Sequence, residues 1–508
     1  MKLKTLILSV LLSLMIVIKV GAASALNVSA KDENTDVLKN AIDGYSIEIP
    51  KGAKVNINEN NFRTQVNFEN VNIKIFLENL KKEIDYKEYR NYSLLGIKNT
   101  SNEHIITGEE GLILNDRESY YIEFNRRKLT EVPKDKNHYL IIFQKIASDK
   151  AMTFMVKSDK LVDKERVFSM ISSVKFDVNK VENSIKKVPN DMKIINDTLK
   201  GADYWSDDTK KLYRDDFLES TERKWGIFVN TFWNSQNFNK IEKEIGHRFK
   251  YLLLYHDTRF SNEIYSDAVK FARVRGSYIE FTFQTQMKDG KNEIYDVLQG
   301  KEEDFIREMA KKIKVAGHPV FFRIGNEMNG DWCSYCAYNT GLDSDIYVYL
   351  YDYIYRIFAE EGANKYVIYV FNPNGKSFPD FRYNDESMYR PHHTKYQVLG
   401  LTLYNTGNYY PGEYWTDFES LYKDLYKHSL KNYDKPMMIT EFASSTIGGD
   451  KIAWTEDMFN VIEEKFPEIK VAIWFSGVDL DQWGQPARIY DITEPKEVLN
   501  VFKKYLRK

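Results

Sequence analysis

Cysteine is nearly missing from this chain: there are two in 508 residues, Cys333 and Cys336. That excludes a disulfide-stapled scaffold, which needs several pairs, and a structural zinc site, which wants about four ligands. The C-x-x-C spacing also occurs in redox motifs, but those sit in a thioredoxin-like βαβ unit and this neighbourhood is not one. The pair is left as a local disulfide or as two free thiols shaping a loop. A basic face is missing too. Lys and Arg total 72 against 74 Asp and Glu, a formal charge of −2, so nothing suggests nucleic acid. Long apolar runs are absent after residue 25. So is the Gly-rich phosphate loop that a doubly wound sheet would normally carry. No metal-ligand cluster stands out, and no cofactor is implied.

What is present begins with a short apolar run. Residues 1–25 read as a secretory signal: Lys2 and Lys4 make a basic start, residues 5–18 are apolar, and Ala23-Ser24-Ala25 is a small-residue cleavage pattern. Lys19 interrupts the run, leaving it short of the roughly 20 apolar residues of a membrane span. An uncleaved N-terminal anchor is the competing reading. Cleavage would remove three lysines and no acid, taking the charge from −2 to −5. The expected location is therefore secreted, extracellular or at the cell surface, with no membrane span in the mature form.

The chain is longer than one compact domain usually is. Residues 177–200 are polar, contain Pro189 and read as a linker. All eight tryptophans, at 205, 225, 233, 332, 415, 454, 474 and 483, lie beyond it, so two modules with different jobs are expected. The first, residues 40–176, carries strand-like runs at 45–49, 71–77, 120–125, 139–143 and 152–156, a closing helix at 164–172 and a last strand at 174–176. It reads as a small α+β domain with an antiparallel sheet, similar to the PsbP-like fold. Lacking Trp platforms, it is expected to be a spacer or a docking module for a cell-surface or exopolysaccharide-machinery partner.

The second module, residues 201–508, holds eight strand candidates: 225–230, 251–256, 278–284, 319–324, 366–371, 398–404, 436–440 and 471–475. They are β-branched or aromatic runs without clean alternation, as for strands buried on both faces. Helical stretches at 303–314, 346–361 and 454–465 fall between them. The pattern predicts an α/β fold, a (β/α)8 TIM barrel, carrying the smaller N-terminal α+β domain.

The densest stretch is residues 319–332, an apolar strand that ends in Arg323, Asn326 and Glu327 and then turns through Trp332. Barrel active sites collect at the C-terminal ends of strands. A Glu there, beside a hydrogen-bonding Asn, can act as a general acid if its pKa is raised. Residues 435–444 repeat the layout, with Glu441 at the strand end. Counted along the candidates, these are the fourth and seventh strands, so both carboxylates point into one cleft. That is the minimum for glycoside hydrolysis. A single strand-end Glu is as often a salt-bridge partner or helix cap; the matched pair carries the reading.

These segments, over most of residues 220–485, resemble glycoside hydrolase clan A and within it family 26, whose best-known members are β-mannanases. The run from Arg323 through Asn326-Glu327-Met328-Asn329-Gly330 to Trp332 is similar to that family's acid/base strand. Phe371-Asn372-Pro373-Asn374 resembles the next strand end, Gly400 to Asn405 the sixth strand, Ile439-Thr440-Glu441-Phe442 the nucleophile strand, and Ala472 to Phe475 the last. The resemblance implies Glu327 as acid/base and Glu441 as nucleophile. It implies Asn326 on the 2-hydroxyl of the reacting sugar, Tyr404 donating to Glu441, and Trp474 as the floor of the −1 subsite. Trp332 and Arg323 would shape the cleft. Two departures bear on substrate rather than chemistry: Asn326 stands where the typical mannanase has His, and the Cys333–Cys336 loop replaces a second Trp.

The expectation is a retaining endo-β-glycosidase acting on β-mannan or β-glucan by double displacement. Two alternatives are a hydrolase trimming the cell's own exopolysaccharide and a non-catalytic carbohydrate-binding surface protein. Trp415, Trp483, Trp233 and the loop 409–413 are further candidates for sugar contacts. Trp225 reads as core, and His256, Asp257 and Asp479 as hydrogen-bonded structure near strand ends.

Overall fold

The computed structural model describes residues 25–58, 60–100, 102–180, 204–230 and 236–507. The signal-like segment up to residue 24, most of the expected linker, and Trp233 lie outside the described residues.

Eight parallel strands close into a barrel in chain order. They are Lys224–Phe228, Tyr251–His256, Tyr278–Phe283, Val320–Ile324, Val367–Phe371, Val398–Thr402, Met437–Phe442 and Ile469–Phe475. All eight expected strands are present, with ends shifted by a few residues. Their lack of alternation has a direct cause. One face of each strand fills the barrel, with Leu253, Phe321, Ile368, Val370, Met438, Val471 and Ile473 packed together. The other face meets the helices, so apolar residues occupy both sides.

The helices show how the outer layer is made. Glu303–Ala316 buries Ile306, Met309, Ala310 and Ile313, one stripe at helical spacing, and stops at Gly317 in the left-handed conformation (φ 60°). At the N-terminal end of the barrel, Trp205, Tyr213 and Phe217 plug the bottom; Phe217 lies 5.4 Å from Phe321 between ring centroids. The opposite end, where the strands finish, carries the polar side chains.

The N-terminal domain is larger than residues 40–176. Strands Leu26–Ala30 and Thr35–Asn40 pair in a meander with Tyr45–Pro50, ahead of the expected boundary. A seven-stranded antiparallel sheet follows, and helix Lys164–Ser172 packs beside it. Residues 174–176 form no strand; Lys175 makes only an isolated bridge to Ser46. Helix Tyr86–Asn99, unforeseen in the sequence, opens with a capping box in which Asp85 and Glu88 each take the other's backbone N–H.

This domain packs directly on the barrel. Its buried residues Tyr89, Ile97, Phe124 and Phe143 belong to the same apolar cluster as the barrel's outer layer. Lys74 and Lys157 are buried against Asp343 and Asp345 on the barrel, with Lys157 Nζ at 2.7 Å and 2.6 Å from the two carboxylates. Two cations and two anions offset one another there, so none is stranded. The sequence pattern concealed this because the contacts join residues some 200 positions apart.

Candidate active site

The upper layer of the barrel interior is polar. Arg323, on the fourth strand, is fully buried. Its Nε lies 2.7 Å from Glu280 on the third strand and donates to Thr282 at 2.7 Å. Its Nη1 donates to Asn372 at 2.6 Å and to Glu441 on the seventh strand. Arg323 thus lies beneath the carboxylates, fully buried, and ties the third, fourth, fifth and seventh strands together.

Glu441 reaches the interior through a bulge. Leu401 stands opposite Ile439 and Thr402 opposite Glu441, so Thr440 is the extra residue in the ladder. The register to the eighth strand slips over the same stretch. In consequence Thr440 bonds sideways to Thr402 at 3.0 Å and Glu441 turns inward, while Phe442 returns to the outer layer. Without the bulge, strict alternation would send Glu441 outward with Ile439. Donors converge on its carboxylate. Besides Arg323, Asn326 Nδ2 donates at 3.3 Å and Tyr404 Oη at 3.0 Å. The phenol of Tyr255, at the end of the second strand, is a further neighbour whose charge balance Glu441 governs. Burial, with the charge of Glu441 next, pushes both phenols well up, so they stay protonated.

Glu327 follows the fourth strand in the left-handed region, φ 50°, which a non-glycine residue rarely adopts. Two backbone bonds hold it there: its N–H donates to Asn372 O at 2.8 Å, and Gly330 N–H donates to Glu327 O at 2.8 Å. Its carboxyl accepts from Asn374 Nδ2 at 2.5 Å and Trp332 Nε1 at 3.2 Å. Burial and then the charge of Glu441 raise its pKa to about 7. Gly330 is needed beside it, since a Cβ there would fall 2.4 Å from the Trp332 ring.

Asn326 is oriented by its neighbours. Gln284 Nε2 donates to its Oδ1 at 2.8 Å, which turns Nδ2 toward Glu441. The structure therefore brings Glu327, Glu441, Asn326, Trp332 and Tyr404 into one cleft. Trp474 does not join them. It is fully buried in the outer layer, donates to Tyr490 O at 3.0 Å and packs edge-on against Phe442 and Phe502. On the eighth strand Val471 and Ile473 face inward, so alternation sends Trp474 outward and Phe475 inward. Phe475 stacks on Phe228 at 4.5 Å and lies 5.8 Å from Tyr404. Phe475, and not Trp474, is the aromatic of this strand that lies beside Tyr404.

Several residues of the site went unnamed in the sequence. Glu280, pushed up to about 7 by burial, Tyr255 and Gln284 carry no local motif, whereas Phe475 closes the run Ala472 to Phe475. Asn374 lay in a run that had been singled out, and its spacing from Asn372 was the available signal. Cys333 and Cys336 are buried free thiols; Cys333 Sγ donates to Asn326 O at 3.4 Å and Cys336 Sγ to Asn384 Oδ1 at 3.2 Å. Burial pushes both thiols up, as for inert structural cysteines. His256 faces the helices, bonded to Tyr265 at 3.0 Å. Trp225 packs on Phe459 at 4.4 Å. Asp257 is paired with Arg259 and Asp479 with Arg488. Trp415 lies over Gly449, and Trp483 projects into solvent on the hairpin joining Val478–Leu480 to Pro486–Ile489. Tyr409 Oη bonds Asp481 at 2.7 Å, so the loop 409–413 and that hairpin form one wall.

The fold and site together define a (β/α)8 barrel with two strand-end carboxyl groups in contrasting surroundings, one among donors and one near neutral. No family model matches the chain. Endoglucanase H of Acetivibrio thermocellus is 29% identical over 186 residues, 35% of this chain, and the chain spans only 20% of that relative's length. Among solved structures, the catalytic domain of a Bacillus endo-β-1,4-mannanase of family 26 is 16% identical with a TM-score of 0.44, covering 60% of this chain and 91% of the other. The family 26 domain of a Prevotella bryantii endo-β-mannanase/endo-β-glucanase is 15% identical with a TM-score of 0.42, covering 60% and 95%.

Proposed function

We propose that the chain is a secreted glycoside hydrolase that cleaves a β-linked polysaccharide with retention of configuration, using Glu441 as nucleophile and Glu327 as acid/base. The observation that carries this is the contrast between the two carboxyls. Glu441 accepts from three donors, Arg323, Asn326 and Tyr404, that fix its carboxylate in place, as an attacking carboxylate requires. Glu327, raised to about 7, keeps a proton to give. In the first step Glu441 forms a bond to the anomeric carbon as the glycosidic bond breaks and Glu327 protonates the leaving oxygen. In the second, Glu327 takes a proton from water, whose oxygen displaces Glu441 from the sugar. Once Glu441 is esterified its charge is gone, and Glu327 becomes more acidic and fit to act as base. Asn326, between the two, is placed to hold the 2-hydroxyl of the reacting sugar, and Trp332 to stack on the sugar that leaves. Retention requires carboxyls about 5–5.5 Å apart.

The names of the similar proteins make mannan, glucomannan and lichenan the first substrates to try, with cellulose and xylan beside them. Release of reducing ends from one of these, with the β-anomer formed first by NMR, is the expected result. Glu441→Ala is expected to stop turnover, and added azide to restore it as the α-glycosyl azide. No release from any β-glycan, or an α-anomer formed first, would overturn the proposal.

A further inference from the structure

The N-terminal domain borders the cleft on the side of Glu327. A cavity of about 390 Å³ lies in the seam between the domains, lined by Leu80, Lys81, Ile84 and Tyr92 from one side and by Asp331 and Phe378 from the other. A second hollow of about 490 Å³ shares Lys81 and Phe378 with it and runs back to Asn374. Asn374 donates to Glu327, so the two hollows form one path away from the acid/base. Aromatic rings mark the path. Trp332 is 54% exposed and Phe378 45%, with ring centroids 5.4 Å apart, although both are large apolar side chains that folding would otherwise cover.

We infer that this seam is a binding subsite for the leaving-group portion of the polysaccharide, built jointly by the two domains. The inference rests on the glycosidase reading above. Glu327 delivers its proton to the leaving oxygen, so the departing sugars extend from Glu327 over Trp332 and then Phe378. Beyond Phe378 the next surface they meet is the seam. Its chemistry suits a sugar: an aromatic face for C–H groups, and the Lys81 ammonium and Asp380 carboxylate for hydroxyls. Those two form an ion pair at the surface, with side chains 60% and 66% exposed, and both remain open to a ligand.

The seam is also rigid enough to serve as a site. Tyr92 donates its hydroxyl to Asp331, the residue before Trp332. The backbone of Phe378 is fixed by its N–H donating to Asn329 O at 2.8 Å. The buried Lys74 and Lys157 with Asp343 and Asp345 hold the sheet against the loop that carries Asp331 and Trp332. The N-terminal domain therefore acts in substrate recognition, and needs no tryptophan platform of its own.

The test compares a β-linked hexasaccharide of the sugar cleaved by the wild type with the aryl β-disaccharide of the same sugar, whose leaving group ends before the seam. Lys81→Ala alone and Ile84→Trp, which fills the cavity, are the variants. Each is expected to lose about tenfold or more in kcat/KM on the hexasaccharide and to stay within about twofold on the aryl substrate. Equal losses on both substrates, or none on either, would overturn the inference while leaving the glycosidase reading intact. Should the wild type cleave neither substrate, that reading fails and this inference with it. Lys81→Ala alters only an exposed side chain, so it reports even if a larger substitution unfolds the domain.

Discussion

Arg323 and Glu441 meet in a buried ion pair across the barrel mouth, although they lie 118 positions apart in the chain. Arg323 also holds Glu280, so one guanidinium lies between two buried carboxyls. It holds the Glu441 carboxylate from below, while Tyr404 donates to the other oxygen.

Removing the arginine strands both partners. Arg323→Met is expected to lower stability by about 3–5 kcal/mol in urea unfolding near pH 7, the usual cost of an uncompensated buried charge. Arg323→Met with Glu280→Leu should recover part of that loss. Neither variant should be active. Equal stability of the single and double variants would show that Glu280 is not held by Arg323.

The raised pKa of Glu327 sets both a pH limb and a stability cost. Activity is expected to fall as pH rises through about 7, because the general acid loses its proton there. The sign for stability is the same. The folded state binds a proton more tightly than the unfolded chain, whose ordinary value is 4.5, so this group's stabilisation is full below 4.5 and lost as pH rises to about 7. Glu327→Gln should thus be more stable than wild type above pH 7, by ~3 kcal/mol, and no more stable at pH 4.5. A pH–rate profile and melting curves at the two pH values check this.

Trp332 and Trp474 should behave oppositely on truncation. Trp332→Ala, at an exposed position, is expected to reduce kcat/KM by about tenfold or more with little change in melting temperature. Trp474→Ala opens a cavity in the outer layer and should cost about 3–5 kcal/mol. Phe475→Ala, at the inward position, should impair catalysis more than Trp474→Phe. The reverse order would restore Trp474 to the sugar site.

The barrel and its two glutamates were legible in the sequence because each rests on a local signal. A strand buried on both faces shows as a short apolar run, and the polar residue that ends it shows where the run stops. Eight such runs with helices between them leave few folds open. The N-terminal domain was less legible, since strands such as Thr64–Phe68 and His104–Leu114 mix polar and apolar residues with little contrast.

By itself, then, the sequence determined the barrel, the strands that carry Glu327 and Glu441, and the polar cluster around the first of them. Tertiary structure alone decided which way the side chains point and what stands beyond them. The extra residue at Thr440 turns Glu441 inward, and strict alternation on the eighth strand turns Trp474 out and Phe475 in. Arg323 becomes a buried partner of Glu441 only when the fourth and seventh strands come together. The N-terminal domain becomes a bank of the cleft only when Lys74 and Lys157 meet Asp343 and Asp345. The physical reason is common to all four. Side-chain direction and charge pairing depend on register and on contacts between distant segments, and neither leaves a periodic trace in the chain.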